Sequence, residues 1–405
     1  MSIPTVSQTS GDASGSSAED FSLVLGGPLF QVLRRAHLSG DALTLVRRRV
    51  VIISLFTWLP LLLLSLLEGH ALGGSIAVPF LKDYELHVRF LAALPLLIIT
   101  ELVVHQRMRP VIRTFRARGI VPANELPRFE AMVAGAFKLR NSIVAELGLL
   151  AFVYLVGIQI IWRDFIALNV ATWYSTPTAQ GAELSIAGFW YGYVSLPIFQ
   201  FLLCRWYFRV FIWARFLFQV RSLTLSLVPT HPDRVGGLGF LGGLVHAFTP
   251  LAAAHGALLA GTFANRIFYA GANFRDFRLE VASTVVFVML LVFAPLLVFG
   301  PQLAAARRRG LLEYGDLAER YGREFEAKWL RGGAPEGEAL IGSADIQSLA
   351  DLANSVEVVR TMSSFLVSKE AVVRLGVATV LPLLPLTLTI MPLEELLKRL
   401  FGMLF

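Results

Sequence analysis

Five ionisable residues fall inside stretches that otherwise carry almost no charge: Glu101, His105, Glu146, His246 and His255. Charge inside hydrocarbon is costly, so such residues are candidates for a pathway or a site. Glu101 and His105 are four residues apart and share a helix face. With Glu146 and His246 they are expected at similar depth, where two carboxylates and two imidazoles could relay protons or hold a cation. The plainer alternative has these groups reach the interface or pair with Arg107, Arg205 and Arg209, and it is preferred for Glu101 and Glu146. His255 lies nearer the middle of its segment. Nine residues place it almost opposite His246 on a helix, so only one of the two is expected to face a cavity.

A second group is basic. The stretch CRWYFRVFIWARFLFQVRSL (204–223) sets Arg205, Arg209, Arg215 and Arg221 among aromatic residues. A voltage sensor repeats Arg every third residue, and spacings of four, six and six do not. Arginine mixed with aromatics suits a membrane interface touching headgroups or anionic lipids; an anion pathway is the sharper alternative. THPDRVGGLGFLGGLVHAF (230–248) sets His231, Asp233 and Arg234 beside Gly236, Gly237, Gly239, Gly242 and Gly243. Glycines before a helix can expose N–H groups to an anion, but close helix packing through small residues is the preferred reading. No Lys-Ser/Thr follows the glycines, so this is not a P-loop.

Catalytic signatures are missing. LEELLKRLF (393–401) reproduces the Glu394, Glu395 and Arg399 spacing of intramembrane CAAX-type proteases, but no downstream histidine completes a site. HExxH, GxSxG and Walker motifs are absent from the sequence. The single cysteine, Cys204, excludes an intramolecular disulfide and argues against a cysteine zinc site. No catalytic residue, metal or cofactor is expected, which weighs against an enzyme.

The elements that position these residues follow from composition. Of 405 residues 55% are hydrophobic and only 16% charged, with mean hydropathy +0.64. A soluble domain carries about 25% charged residues. Apolar runs at roughly 50–68, 86–105, 143–162, 184–204, 241–262, 279–300 and 371–391 are each long enough for a helix across ~30 Å of hydrocarbon. Strand-type alternation is absent, so the expected fold is all-α, a polytopic transmembrane helix bundle of six or seven spans. Pro382, Pro385 and Pro392 interrupt the last run, and a re-entrant or interfacial segment is the alternative there. With the N-terminus inside, connections on the cytoplasmic side hold 27 basic residues against seven on the other, which satisfies the positive-inside rule.

The organisation expected is a disordered cytoplasmic tail over 1–30 and a membrane domain over 31–300 with six spans and an amphipathic helix near 124–140. A cytoplasmic helical segment over 301–370 follows, with a flexible linker at 332–344, and then a hydrophobic or re-entrant helix over 371–405. Apolar residues step at three to four in 124–140, 311–331 and 346–366, so each stripe needs a partner. Lipid, one another and a second subunit are all open.

The segments HPDRVGGLGFLG (231–242), LANSVEVVR (352–360) and LPLLPLTLTIMPLEELLKRLF (381–401) resemble a family of uncharacterised bacterial integral membrane proteins. The resemblance covers mainly the C-terminal half. It implies a multi-pass protein of the bacterial inner membrane and brings no activity or site residue with it. Expected partners are the lipid bilayer, anionic lipids included, and further copies of the chain; no nucleic acid is expected. An oligomeric channel or small-solute or ion transporter ranks first. A non-catalytic scaffold binding a partner through its cytoplasmic helices ranks second. A membrane-embedded enzyme acting on lipid headgroups near His231 and Asp233 ranks third.

Overall fold

A long apolar run has no polar face to turn to water, so its helix buries its few polar residues and exposes the rest. The first run, Val46–Leu67, does this in the computed structural model, which describes residues 22–36, 45–73, 76–162, 171–178 and 181–389. Ser54, Thr57 and Ser65 are buried, whereas Val51, Leu55, Phe56 and Leu63 are exposed. That inversion is what a lipid solvent selects, with small and hydroxyl residues between helices and large apolar ones outside. Among the described residues the long helices are α1 (Pro28–Arg35), α2 (Val46–Leu67), α3 (Tyr84–Ala117), α4 (Ala123–Arg140), α5 (Ile143–Gly157), α6 (Ile186–Val220), α7 (Gly239–Ala270), α8 (Phe274–Leu297), α9 (Gly300–Phe325), α10 (Ala344–Arg360) and α11 (Lys369–Thr387).

Six of these (α2, α3, α6, α7, α8 and α11) are long and apolar enough to cross a membrane, and α4 with α5 makes a seventh if the bent pair counts as one span. The chain is an all-α polytopic bundle. The pair bends by 45° at Asn141–Ser142, where Ser142 Oγ accepts the Ala145 N–H at 3.2 Å and starts a new helix. α3 and α6 each contain a π-type turn, Arg89–Ala93 and Tyr191–Ser195, just before Pro95 and Pro197. Proline lacks the N–H that an α-helix needs there, and the wider turn absorbs the mismatch without ending the helix. Serine and asparagine caps open other elements: Ser185 accepts from Gly188, Ser368 from Ala371, and Asn273 forms a capping box with Asp276.

The interior is organised around α7, whose inward side is built from Ala252, Ala254, Gly256, Ala257 and Ala260. A methyl group at Gly256 would lie 1.8 Å from the Thr379 carbonyl oxygen, so glycine is what lets α11 approach. The last apolar run is thus helix packed on α7 through Thr387. Pro392 and the Glu394, Glu395 and Arg399 group lie outside the described residues.

The amphipathic helix near 124–140 finds its partner in its own bundle, with Phe129 between Phe115 (5.5 Å) and Phe216 (6.1 Å). The stripes in 311–331 and 346–366 meet each other in an α9–α10 hairpin. There Asp345 Oδ2 accepts from Lys328 Nζ at 2.9 Å and Trp329 Nε1 at 3.0 Å. Two features depart from expectation. A small antiparallel pair, Ser175–Thr178 with Gly181–Leu184, interrupts the all-helical pattern. The disordered tail expected over 1–30 cannot extend to its end: Leu23 and Val24 are almost fully buried and α1 begins at Pro28. Two adjacent apolar side chains and a run of partnered polar groups hold 22–30 in place, while 1–21 lie outside the described residues.

Candidate functional site

Four helices converge on one charged cluster. Arg49 comes from the first turn of α2, Glu101 from α3, Glu146 from the first turn of α5, and Arg205 and Arg209 from successive turns of α6. All five residues are only 2–8% exposed. Glu101 is shared by three guanidinium groups. Its Oε1 accepts from Arg209 Nη1 at 2.7 Å and lies 3.5 Å from Arg205 Nη1, while Oε2 pairs with Arg49. Arg205 also donates from Nε to Glu146 Oε1 at 3.1 Å.

The N-terminal segment covers this cluster. Glu146 Oε2 accepts the Leu29 N–H at 2.7 Å, a favourable position for a carboxylate in the first turn of α1. The Gly26 carbonyl accepts from Arg205 Nη2 at 3.4 Å, and Gly27, at φ 89°, sits where a methyl group would come within 2.8 Å of Glu146 Oε1. Ser22 Oγ lies 2.8 Å from His105 Nδ1, and the Ser22 carbonyl accepts from Arg140. Arg140 is in turn within electrostatic reach of Arg209.

Charge does not balance inside. Three arginines face two glutamates, and arginine does not give up its proton in a protein. Arg49 Nε and Arg209 Nη2 are buried with no hydrogen-bond partner among the described residues.

The expected polar group is therefore only partly assembled. Glu101, His105 and Glu146 meet around the N-terminal segment. His246 stands apart, near Arg107, Arg374 and Glu370. His255 is a satisfied interior histidine: Nδ1–H donates to the Leu251 carbonyl at 2.8 Å, and Nε2 accepts from Tyr207 O–H at 2.9 Å. Arg205 and Arg209, expected at anions or lipid headgroups, are turned inward because two carboxylates await them there. Arg215 alone of the three is exposed, and it lines an apolar groove of about 520 Å³ with Tyr207, Phe211, Phe218, Leu290 and Pro295.

His231, Asp233 and Arg234 form a separate loop. Asp233 Oδ1 accepts from Val235 N (2.9 Å) and Gly237 N (3.1 Å), and Oδ2 accepts from Gly239 N (2.8 Å). Partial burial opposes its charge, but these three N–H groups and nearby His231 outweigh it and hold the carboxyl below its usual pKa. Arg234, at φ 56°, takes a left-handed turn, and its carbonyl accepts the Ser363 N–H at 2.7 Å. Beside the loop, Arg118, Ser226, His231, Gly236 and Gly237 line a cavity of about 420 Å³. No group of three or more His, Cys, Asp or Glu suited to a metal occurs among the described residues.

Two features escaped the sequence reading. Arg49 looks like one of three flanking arginines, yet Arg47 and Arg48 are exposed and Arg49 is not. At the opposite end, Asp83 is buried with Leu86 N and Asn265 Nδ2 on Oδ1 (3.1 and 2.9 Å) and Trp173 Nε1 on Oδ2 (2.9 Å). Beside it Arg89 joins Glu85 to the Tyr191 hydroxyl. Comparison with protein families gives no match to this chain, and neither a curated protein nor a solved structure matches it.

Proposed function

We propose that the protein is a channel or small-solute and ion transporter of a bacterial inner membrane, with its N-terminus on the cytoplasmic side. The observation that carries this reading is a polar seam along the buried side of α2. Arg49, Ser54, Thr57 and Ser65 are its buried polar residues from the cytoplasmic end onward, and Glu68 lies just past the helix end. From Arg49 to Glu68 the rise is roughly 28 Å at 1.5 Å per residue, close to the ~30 Å of a bilayer core. Ser54 Oγ and Ser65 Oγ are buried with no hydrogen-bond partner among the described residues, and a buried hydroxyl left unpaired is costly. Leu61, fully buried between Thr57 and Ser65, interrupts the seam and would act as its constriction. Two serines on a membrane helix also suit plain helix packing, so flux decides between the two. Purified protein in liposomes should pass ions above the level of empty vesicles, with Leu61→Ala raising the rate and Ser54→Leu lowering it. No flux across a panel of monovalent and divalent ions would end this reading.

A scaffold is the second reading. The α9–α10 hairpin exposes Leu312 and Ile346, and the adjoining loop exposes Ile341, side chains that a partner protein would cover. A protein that co-purifies with the intact chain and is lost on Leu312→Glu would favour it.

A further inference from the structure

We propose that the Arg49–Glu101–Arg209 centre binds a small monovalent anion, held by Arg49 Nε and Arg209 Nη2 beneath the N-terminal segment 22–29. This names the species held at the cluster and so deepens the permeation reading, but its binding test stands apart from flux.

The argument begins with charge. Buried ions are tolerated when paired, and the penalty for an unpaired one in a protein interior is several kcal/mol. Lysine or histidine could shed the surplus proton; arginine cannot. Three guanidinium groups against two carboxylates leave one positive charge with no acidic partner in the cluster. An anion of charge −1 balances the five-residue cluster of Arg49, Glu101, Glu146, Arg205 and Arg209, whereas a dianion would reverse its imbalance.

Two donors remain unused. Glu101 uses up one edge of Arg209 and pairs with Arg49. Arg49 Nη2 is spent on its ion pair with Glu101, which leaves Nε of Arg49 and Nη2 of Arg209 buried with neither a hydrogen bond nor an ion pair among the described residues. Both arginines hold the same carboxylate, so the two unused donors belong to side chains that meet at Glu101. The surroundings add positive potential, since Arg140 lies within electrostatic reach of Arg209 and the first turn of α1 points its N–H groups at Glu146.

Access is set by the segment above. Leu23 and Val24 are buried, and the Ser22 and Gly26 carbonyls occupy Arg140 and Arg205. These carbonyls are weak acceptors for guanidinium, so an anion entering from this end would compete with the plug for the same cations. The occupied and plugged states can therefore coexist only for an ion small enough to fit under the segment.

The test uses the full chain purified in detergent, at constant ionic strength set with a bulky organic sulfonate. Chloride, bromide and nitrate should each raise the thermal transition in a saturable way, and bromide should give one anomalous-scattering peak between Arg49 and Arg209. Sulfate and phosphate should act at least about tenfold more weakly. Arg49→Met removes the surplus charge and Nε together, and its apparent bromide affinity should fall by about tenfold or more, the scale of one charge-assisted hydrogen bond. If Arg49→Met does not fold, Arg49→Lys keeps the charge without Nε and should show the same loss. A response that only follows ionic strength, a tighter effect of sulfate than of chloride, or unchanged bromide affinity in the folded Arg49 variant would overturn the site. Bromide binding without liposome flux would sink the permeation reading alone, and flux without saturable binding would sink this one alone.

Discussion

The two ends of the bundle each bury a carboxylate, and they satisfy it in opposite ways. Asp83 is surrounded by neutral donors fixed in place: a helix N–H, a carboxamide and an indole, the last set by packing of Trp173 on Phe80 (5.1 Å) and Tyr191 (5.4 Å). Glu101 is surrounded by guanidinium groups alone, and more of them than it can neutralise even with Glu146. Neutral dipoles complete a site through geometry, and such a site has no need of a further ion. A surplus of cations is complete only when another negative group arrives. The Asp83 end thus has the properties of a structural clasp, and the Glu101 end those of a site that exchanges partners.

The sharpest way to break this contrast is to remove the shared anion. Glu101→Gln leaves three buried arginines facing Glu146, and cutting one partner from a buried ionic group costs about 3–5 kcal/mol. We expect a lowered thermal transition or loss of a monodisperse species in detergent; wild-type stability would show that the cluster is wetter than its burial implies. Asp83→Asn should be the next largest. One of its two acceptor atoms becomes a donor and meets Trp173 or Asn265 with the wrong polarity, a loss of about 1–3 kcal/mol. Its signature is local, so tryptophan fluorescence should shift along with the transition.

How much of this the amino-acid order revealed depends on where each partner sits along the chain. The seven apolar runs were legible because lipid imposes length on each segment separately. Pairing of Glu101 with Arg205 and Arg209 could be weighed because few charges occur at that depth. Arg49 was hidden inside the triplet Arg47 to Arg49, where positive charge at a span end has a sufficient explanation already. The inward side of α2 can be read from Ser54, Thr57 and Ser65, but Arg49 lies at its margin, and so long a side chain is assigned only by what it meets. The Asp83 clasp was illegible for another reason. Its donors come from positions 86, 173 and 265, all neutral types that carry no signal until the helices are packed. The docking of 22–30 was likewise masked, because a Ser/Gly-rich stretch precedes it and only Leu23 and Val24 mark the change.

Arg49→Met sharpens the contrast from the other side. Removing one cation leaves Glu101 with Arg205 and Arg209 and brings the cluster to charge balance, so no buried ion is abandoned. The expected change is within about 1.5 kcal/mol, the range of a volume-conserving swap in a core, and much smaller than that of Glu101→Gln. Chemical or thermal unfolding of the two variants side by side measures the asymmetry. Equal losses would mean that Arg49 is structural and the surplus of cations has no consequence.

Asp233 provides the smallest and most selective test, because it combines features of the two ends. Like Asp83 it is held by neutral N–H groups, yet it is only partly buried, so solvent weakens its contribution. Its carboxyl is held below the ordinary value of about 3.9. A depressed folded-state pKa means that its stabilising effect is full above that value and drains away as the pH falls beneath it. Wild type should therefore exceed Asp233→Asn in thermal stability at pH 6, and the gap should begin to narrow as the pH falls below about 3.9 and the carboxyl takes up its proton. The absence of a gap at pH 6 would show that the turn over 231–239 is held by its backbone alone, with the carboxylate incidental. A gap that narrows would place the loop with the neutral-donor clasp and leave the arginine cluster as the part of the molecule whose stability follows anions and not protons.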